Sequence, residues 1–331
     1  MRRLPGILSL IAATLIVIVA LLISGLRLLM PHMNEYRTEI LSAVSSLSGT
    51  RLSADKLTGR WENFGPVVEV RGLHSTLNDG TTLGVSHVRL ALDVWQSLLH
   101  ARLQFRDLTF WQLQLSARTL PRSSSASRQS LGLAQVENLF LRRFDHFILR
   151  DSQISFPSLS GQQVHLAIPQ LTWFNEGQRH RAEGEVSLSS ITGQHGVVQV
   201  RLDLNDINGM IDSGRVWLQA ESVDAKPWLG RWMKDNTTLR TADFSLQAWV
   251  NLKGGVPDSG DLLLTKGSAR WQAGQEPHQL TVDNLTAHLF RSGKGWALSV
   301  PRTGLATDDV AWPQGSLSLY WQPEEKHLLR A

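Results

Sequence analysis

From Arg51 almost to the carboxy terminus, apolar residues recur at every second position, and this period restricts the possible folds more than any single motif does. Val88, Leu90, Leu92 and Val94 alternate with Arg89, Ala91 and Asp93. Leu103 and Phe105 lead to Leu108 and Phe110, then to Leu113 and Leu115. The pattern continues through Val164, Leu166 and Ile168; Val186 and Leu188; Val198, Val200, Leu202 and Leu204; and Val216, Leu218 and Ala220. It resumes at Phe244, Leu246, Ala248, Val250 and Leu252, then at Leu280, Val282, Trp296, Leu298, Val300, Leu317, Leu319 and Trp321. Successive side chains of a strand point to opposite sides, so a period of two predicts strand after strand with one apolar face. The connections carry Asn78-Asp79-Gly80, Asn208-Gly209, Asp212-Ser213-Gly214, Lys253-Gly254-Gly255 and Ser292-Gly293, residues that supply the positive φ angles of tight hairpins. Antiparallel neighbours follow, because parallel strands need long crossovers and helical stretches are scarce here.

Three short helices interrupt the strands. Asp93 to His100 opens with an N-cap at Asp93 and Gln96 three residues on, a capping-box spacing. Leu133 to Phe144 follows a Ser-rich loop, PRSSSASRQS at Pro121 to Ser130, and Pro227 to Lys234 begins after Asp224 with proline in its first turn. Their apolar sides suit plugs or end caps. The expected organisation is an anchor over 1–30, a juxtamembrane amphipathic helix over 31–50, a first β-segment over 51–120, a loop and helix over 121–146 and a second β-segment over 147–331.

The amino terminus is of another kind. Leu4 to Leu26 is twenty-three residues without a charge, preceded by Arg2 and Arg3 and closed by Arg27. A helix of that length at about 1.5 Å per residue covers a ~30 Å hydrocarbon core. Leu4, Ile7, Leu15, Ile18, Leu22 and Leu26 are its membrane-anchor candidates. A cleavable signal peptide would be shorter and would end in a small-x-small site, which Leu21 to Gly25 does not offer. The reading is therefore a single-pass signal anchor with its amino terminus in the cytoplasm. Tyr36, Ile40, Leu41, Val44 and Leu47 then recur at helical spacing, fitting either a membrane-surface helix or one capping the first strands.

Sequence chemistry points away from catalysis. With no cysteine there is no thiolate nucleophile and no cysteine zinc site. Gly84-Val85-Ser86-His87-Val88 lacks the second glycine of a nucleophile elbow, and Gly293-Lys294-Gly295 falls in a turn instead of a phosphate loop. His180 stands between two arginines, and Asp145 and His146 are adjacent on a strand and point apart. No cofactor is expected. The net charge of +4 is scattered, without the basic stripe of a nucleic-acid binder. Twelve tryptophans against two tyrosines suit core positions one by one, though Trp is also enriched at bilayer interfaces and apolar ligand surfaces.

Periodicity alone leaves two architectures open. In a β-sandwich two apolar faces bury each other; in a single elongated, curved sheet the face lines a groove. The segments LALDVWQSLLH (Leu90 to His100), QFRDLTFWQLQL (Gln104 to Leu115), LAIPQLTW (Leu166 to Trp173), HRAEGEVSLSSITGQHGV (His180 to Val197), TVDNLTAHL (Thr281 to Leu289) and WPQGSLSLYW (Trp312 to Trp321) resemble the AsmA-like family of bacterial inner-membrane proteins. The resemblance runs from Met1 to about Trp321. It implies a mainly β chain, with a transmembrane helix followed by an elongated antiparallel β-groove like that of bridge-like lipid transfer proteins. It also implies a non-enzymatic role in moving phospholipids from the inner membrane and maintaining the outer-membrane barrier, with phospholipids, the bilayer and other envelope proteins as partners. The alternative is a structural or assembly-assisting envelope protein without a conduit. The groove candidates are Leu90, Leu92, Leu103, Phe105, Phe110, Leu113, Leu115, Leu166, Ile168, Val186, Leu188, Val200, Leu202, Leu204, Val216, Leu218, Leu246 and Val250. Family members are several times longer, so the chain reads as a fragment truncated at its carboxy terminus; about fifteen strands at ~4.8 Å spacing give about 70 Å of groove.

Overall fold

A computed structural model describes residues 4–48, 51–62, 65–77, 80–100, 104–117, 139–157, 163–188, 197–207, 210–224, 226, 237–293, 295–302, 304–313 and 315–321. The amino terminus forms α1 (Leu4–Leu29), a 3-10 turn (Met30–His32) and α2 (Arg37–Ser48). Strands then follow almost without interruption: β1 (Leu52–Ser53), β2 (Lys56–Glu62), β3 (Gly65–Thr76), β4 (Thr82–Leu92), β5 (Phe105–Ser116), β6 (His146–Pro157), β7 (Gln163–Glu176), β8 (Arg179–Leu188) and β9 (Val198–Ile207). The second half holds β10 (Met210–Asp224), β11 (Thr237–Lys253), β12 (Val256–Ala273), β13 (Glu276–Ser292), β14 (Gly295–Val300), β15 (Leu305–Thr307), β16 (Val310–Ala311) and β17 (Leu317–Trp321). A helix α3 (Val94–His100) joins β4 to β5, with Gln96 N–H donating to Asp93 Oδ1 at 3.0 Å as the capping spacing predicts.

All seventeen strands belong to one sheet, which decides between the two architectures. Each strand from β2 to β13 pairs with its successor in the chain, β15 also pairs with β13, and β14 pairs with β17. Among the described residues no pairing joins β17 back to β2, so the sheet stays open. The sandwich allowed by periodicity is absent, because alternation records only that one face is apolar, not what covers it.

Three expectations need correction. The β5–β6 pair is parallel, unlike its neighbours, and so needs a crossover connection in place of a hairpin. The described part of that crossover is a five-residue π-helical turn, Leu139–Arg143, where a helix from Leu133 to Phe144 was expected. Asp212-Ser213-Gly214 is not a turn but a register shift inside β10. The Gly254-Gly255 connection does form a two-residue hairpin, with both φ angles positive. Asn208-Gly209, the Ser-rich loop and the Pro227–Lys234 helix lie outside the described residues.

The sheet is creased as well as twisted. In β4, Leu83 and Val85 line one cavity before Ser86-His87, and Val88 and Leu90 line it afterwards, so the inward set changes from odd to even positions. β3 makes the reverse change at Gly72 (φ 61°), between Val70 and Leu73. Similar left-handed residues stand at Gln112 in β5, Asp151 in β6, Ser222 in β10 and Asn284 in β13. Each costs roughly 1–2 kcal/mol for a non-glycine residue. In return the strand bends locally, as at a bulge, and keeps its apolar residues on the inside of the bend. At the β5–β6 crease the ladder gap is filled by Ser152, whose buried hydroxyl accepts from Leu113 N–H at 3.2 Å and donates to the Arg150 carbonyl at 3.0 Å.

Close backbone approach fixes Gly184 in β8. A methyl added there would strike the Gln170 carbonyl oxygen and lie 2.6 Å from Leu171 Cα, whereas one added at Gly84 meets nothing within 4 Å. Gly184→Ala is expected to destabilise the fold by about 1–3 kcal/mol, read as a lower denaturant midpoint, while Gly84→Ala leaves the midpoint unchanged or raises it.

Candidate functional site

Strand register turns the separate apolar positions into rows that run across the sheet. Leu57, Val70, Val88, Phe110, Leu149, Leu171, Gly184, Val200, Leu218, Ala248, Leu262 and Ala287 are successive cross-strand partners from β2 to β13. Directly opposed residues share a face, so this is one uninterrupted apolar line. A second row runs Trp173, Ala182, Leu202, Val216, Val250, Gly260, Leu289, Leu298 and Leu319 from β7 to β17. The other face carries Arg89 paired with Glu62 (2.7 Å), Arg179 with Asp203 (2.7 Å) and Arg201 with Glu183 (2.9 Å). These exposed pairs contribute little to stability. They do fix which face meets water. The Arg179 guanidinium holds the Asp203 carboxyl below the usual carboxylate range.

At the amino-terminal end the apolar face is roofed. Met30 and Met33 of the 3-10 region and Ile40, Leu41 and Val44 of α2 lie over β1–β5, enclosing a cavity of about 430 Å³ lined wholly by apolar residues. Its size is that of a small-molecule site, but it lacks the few polar groups that would orient a polar ligand. Gly59 permits the roof to approach, since a methyl there would lie 2.7 Å from the Met30 carbonyl and 3.0 Å from its sulfur. Asn34 Oδ1 accepts from Leu57 N–H at 3.1 Å and Arg37 donates to the Asp55 carbonyl, securing the roof along β2.

Phe140 and Phe144 of the crossover close the cavity on its other side. They join Phe105, Phe110 and Phe147 in an aromatic cluster with ring centroids 5.0–6.2 Å apart. A polar network, buried at His180 and Asp206, holds this plug. Asn175 Nδ2 donates to the carbonyls of both Phe140 and Phe144 at 2.6 Å, while its Oδ1 accepts from Trp173 Nε1 at 2.7 Å and meets His180 Nδ1 at 2.7 Å. Arg142 donates to Asp206 Oδ2 at 2.5 Å, and His180 Nε2 lies 3.5 Å from Asp206 Oδ1. His180 and the Asp206 carboxylate have no exposure to solvent, and breaking a buried pair leaves an uncompensated charge.

Of the sequence-nominated groove residues, Leu90, Leu92, Phe105 and Phe110 line the cavity. Leu113, Ile168 and Val200 are buried in the same cluster, and Leu115, Leu166, Val186, Leu202, Val216 and Leu218 pack against it. Leu188 stands opposite Leu166, Leu246 opposite Ala220, and Val250 opposite Val216. Leu204 is buried opposite His180. Leu103 lies outside the described residues. The anchor candidates Leu4, Ile7, Leu15, Ile18, Leu22 and Leu26 all fall in α1; Ile18 and Leu22 are exposed, and Leu26 lines the cavity instead. Among the described residues no single helix is long and apolar enough to cross a membrane, although Ile16–His32 and Arg37–Ser46, bent by 115°, reach that length together. Residues missed from sequence include Met30, Met33 and the latch formed by Arg142, Asn175, His180 and Asp206. The four-residue spacing of Phe140 and Phe144 was the available signal for the plug.

Burial pushes the His180 imidazole below its ordinary value, outweighing the attraction of Asp206. A depressed histidine pKa means that the unfolded chain binds the proton more readily. The stabilising contribution is complete above about pH 6.5, the ordinary histidine value, and declines as pH falls below it. Wild type is expected to lose stability between pH 7.5 and 5.5 in denaturant titrations, and His180→Gln, weaker at pH 7.5, should show a smaller loss over the same interval.

Across residues 1–331 the sequence matches the YhdP protein family. The intermembrane phospholipid transporter YhdP of Escherichia coli (strain K12) is 54% identical over 325 residues, which cover 98% of this chain and 26% of that relative. The chain thus spans about a quarter of the length of the relative it matches. Over its whole length the chain is a member of the YhdP family.

Proposed function

We propose that the apolar face carries phospholipid acyl chains, and that this chain is the inner-membrane-proximal part of a conduit leading towards the outer membrane. The carrying observation is the apolar row continuous from Leu57 to Ala287, opening from a roofed cavity at its amino-terminal end. Exposing one sixteen-carbon chain to water costs on the order of 12 kcal/mol at about 0.8 kcal/mol per methylene. A trough of equivalent Leu, Val and Phe contacts removes that cost at every step without creating a deep trap. The polar headgroup needs no counterpart in the trough, since it travels along the open side in water. α1 is the anchor, with its amino terminus in the cytoplasm and the sheet in the periplasm; its exposed Ile16, Ile18, Leu21 and Leu22 support that role. Conducting lipid in this way supports the permeability barrier of the envelope, and the relative's name as a phospholipid transporter agrees with it.

Photo-crosslinking residues placed one at a time in the full chain, in native membranes, test the face directly. Capture of phospholipid is expected at Phe105 and Leu202 on the apolar face and not at Arg89 or Asp203 on the other. Equal labelling of both faces, or of neither, would contradict the proposal.

A further inference from the structure

The roofed cavity has a definite capacity as well as an apolar character. A methylene is close in size to a water molecule, which takes ~30 Å³ in the liquid, so a space of about 430 Å³ holds about fourteen of them. That is one acyl chain of ordinary membrane length, half of what a diacyl phospholipid carries. Among the described residues no polar side chain lines the space, so a headgroup finds no partner inside and stays in water. The end walls are fixed. On the β2 side the Met30 carbonyl faces Gly59 with no room for a methyl between them. On the β5 side Phe140 and Phe144 stand against Phe105 and Phe110, with ring centroids 5.3–6.1 Å apart. Asn175 holds the backbone carbonyls of both Phe140 and Phe144 at 2.6 Å, and Arg142 between them is tied to Asp206. A chain lying across β2–β5 therefore ends against rings whose backbone is held by hydrogen bonds.

We propose that this cavity is a single-chain site and that Phe140 and Phe144 set the length it accepts. One acyl chain of a phospholipid, of about fourteen to sixteen carbons, enters it, while the second chain and the headgroup stay outside. This rests on the reading of the apolar face as a carrier of acyl chains. Each methylene taken from water favours occupancy about fourfold, until the chain meets the wall. Further carbons must then lie outside the cavity or push the two rings aside against the Asn175 and Asp206 hydrogen bonds. Occupancy consequently passes through a maximum with chain length. A trough open at both ends has no wall and gives no such maximum.

The full chain, reconstituted into vesicles of phosphatidylethanolamine and phosphatidylglycerol, tests this with trace phosphatidylethanolamines that carry a diazirine at the end of one acyl chain, in a series from twelve to twenty carbons. After irradiation, peptide mass spectrometry gives the share of attachments that falls on the cavity lining. The expected share is greatest near fourteen to sixteen carbons and falls several-fold by twenty. Phe144→Ala removes part of the wall and is expected to move the maximum about two to four carbons longer. Val68→Phe fills part of the space from β3, at a position that lines the cavity and is only partly buried, and is expected to move it shorter. Circular dichroism establishes that strands are retained, and Val68→Phe carries the test if Phe144→Ala loses them. A lipid with diazirines on both chains should attach by one chain only within the cavity. A share that rises steadily or stays flat with length, a maximum that the folded variants do not move, or two chains attached inside one cavity would overturn the proposal. Attachment at Val200 and Leu202 with none in the cavity would also overturn it and leave the carrier reading standing. Attachment nowhere on the apolar face would instead remove the carrier reading itself.

Discussion

An apolar row that crosses twelve strands must be kept from water, and no second sheet does so. At about 25 cal/mol per Å² of apolar surface, leaving such a face bare would consume the margin by which a domain is stable. Over β2–β9 most of the row is buried: Leu57, Val88, Phe110, Leu149, Leu171 and Val200 are each less than a tenth exposed. The described elements above it reach only β1–β5 and the aromatic plug, so much of that cover comes from the sheet's own curvature. The left-handed residues Gly72, Gln112, Asp151, Ser222 and Asn284 acquire their meaning here. Each introduces a local bend while changing the alternation so that leucine and valine stay inside it.

Cover is uneven along the sheet, and this connects packing to function. At the amino-terminal end the roof of Met30, Met33 and α2 encloses space, the plug of Phe140 and Phe144 adjoins it, and the Asn175–His180–Asp206–Arg142 network fixes the plug to β7–β9. Farther on, Leu218, Ala248 and Leu262 are partly exposed. A chain that covers its apolar face fully where α1 departs and less completely farther along has the asymmetry expected of a surface that takes up a greasy molecule at one end and passes it on.

How much of this was readable in advance differs by element. Single strands were, because a period of two survives in any local window; so was the cap of α3, since Asp93 and Gln96 are neighbours in sequence. The choice between two sheets and one was not legible in the period, because Leu202 alternates with Asp203 in either architecture; only the family resemblance implied a single groove-forming sheet. The creases left traces, such as the three-residue step from Phe110 to Leu113 and from Val85 to Val88, but a slip in alternation does not by itself show which way a strand bends. The latch was invisible: Arg142, Asn175, His180 and Asp206 are scattered over four elements, and His180 between two arginines resembles a surface residue until β7, β8 and β9 are aligned. The parallel β5–β6 joint was hidden for the same reason, since it depends on where a crossover lands.

The central claim is that the apolar row is occupied by lipid and is not simply an internal surface of a folded protein. It is tested most directly by quantitative mass spectrometry of lipids that accompany the purified full chain, compared between wild type and the row substitutions Val200→Glu and Leu218→Glu, with circular dichroism establishing that strand content is retained. The account predicts that diacyl phospholipid accompanies wild type and is strongly depleted in both variants. Equal lipid in all three, or none in wild type, would contradict it.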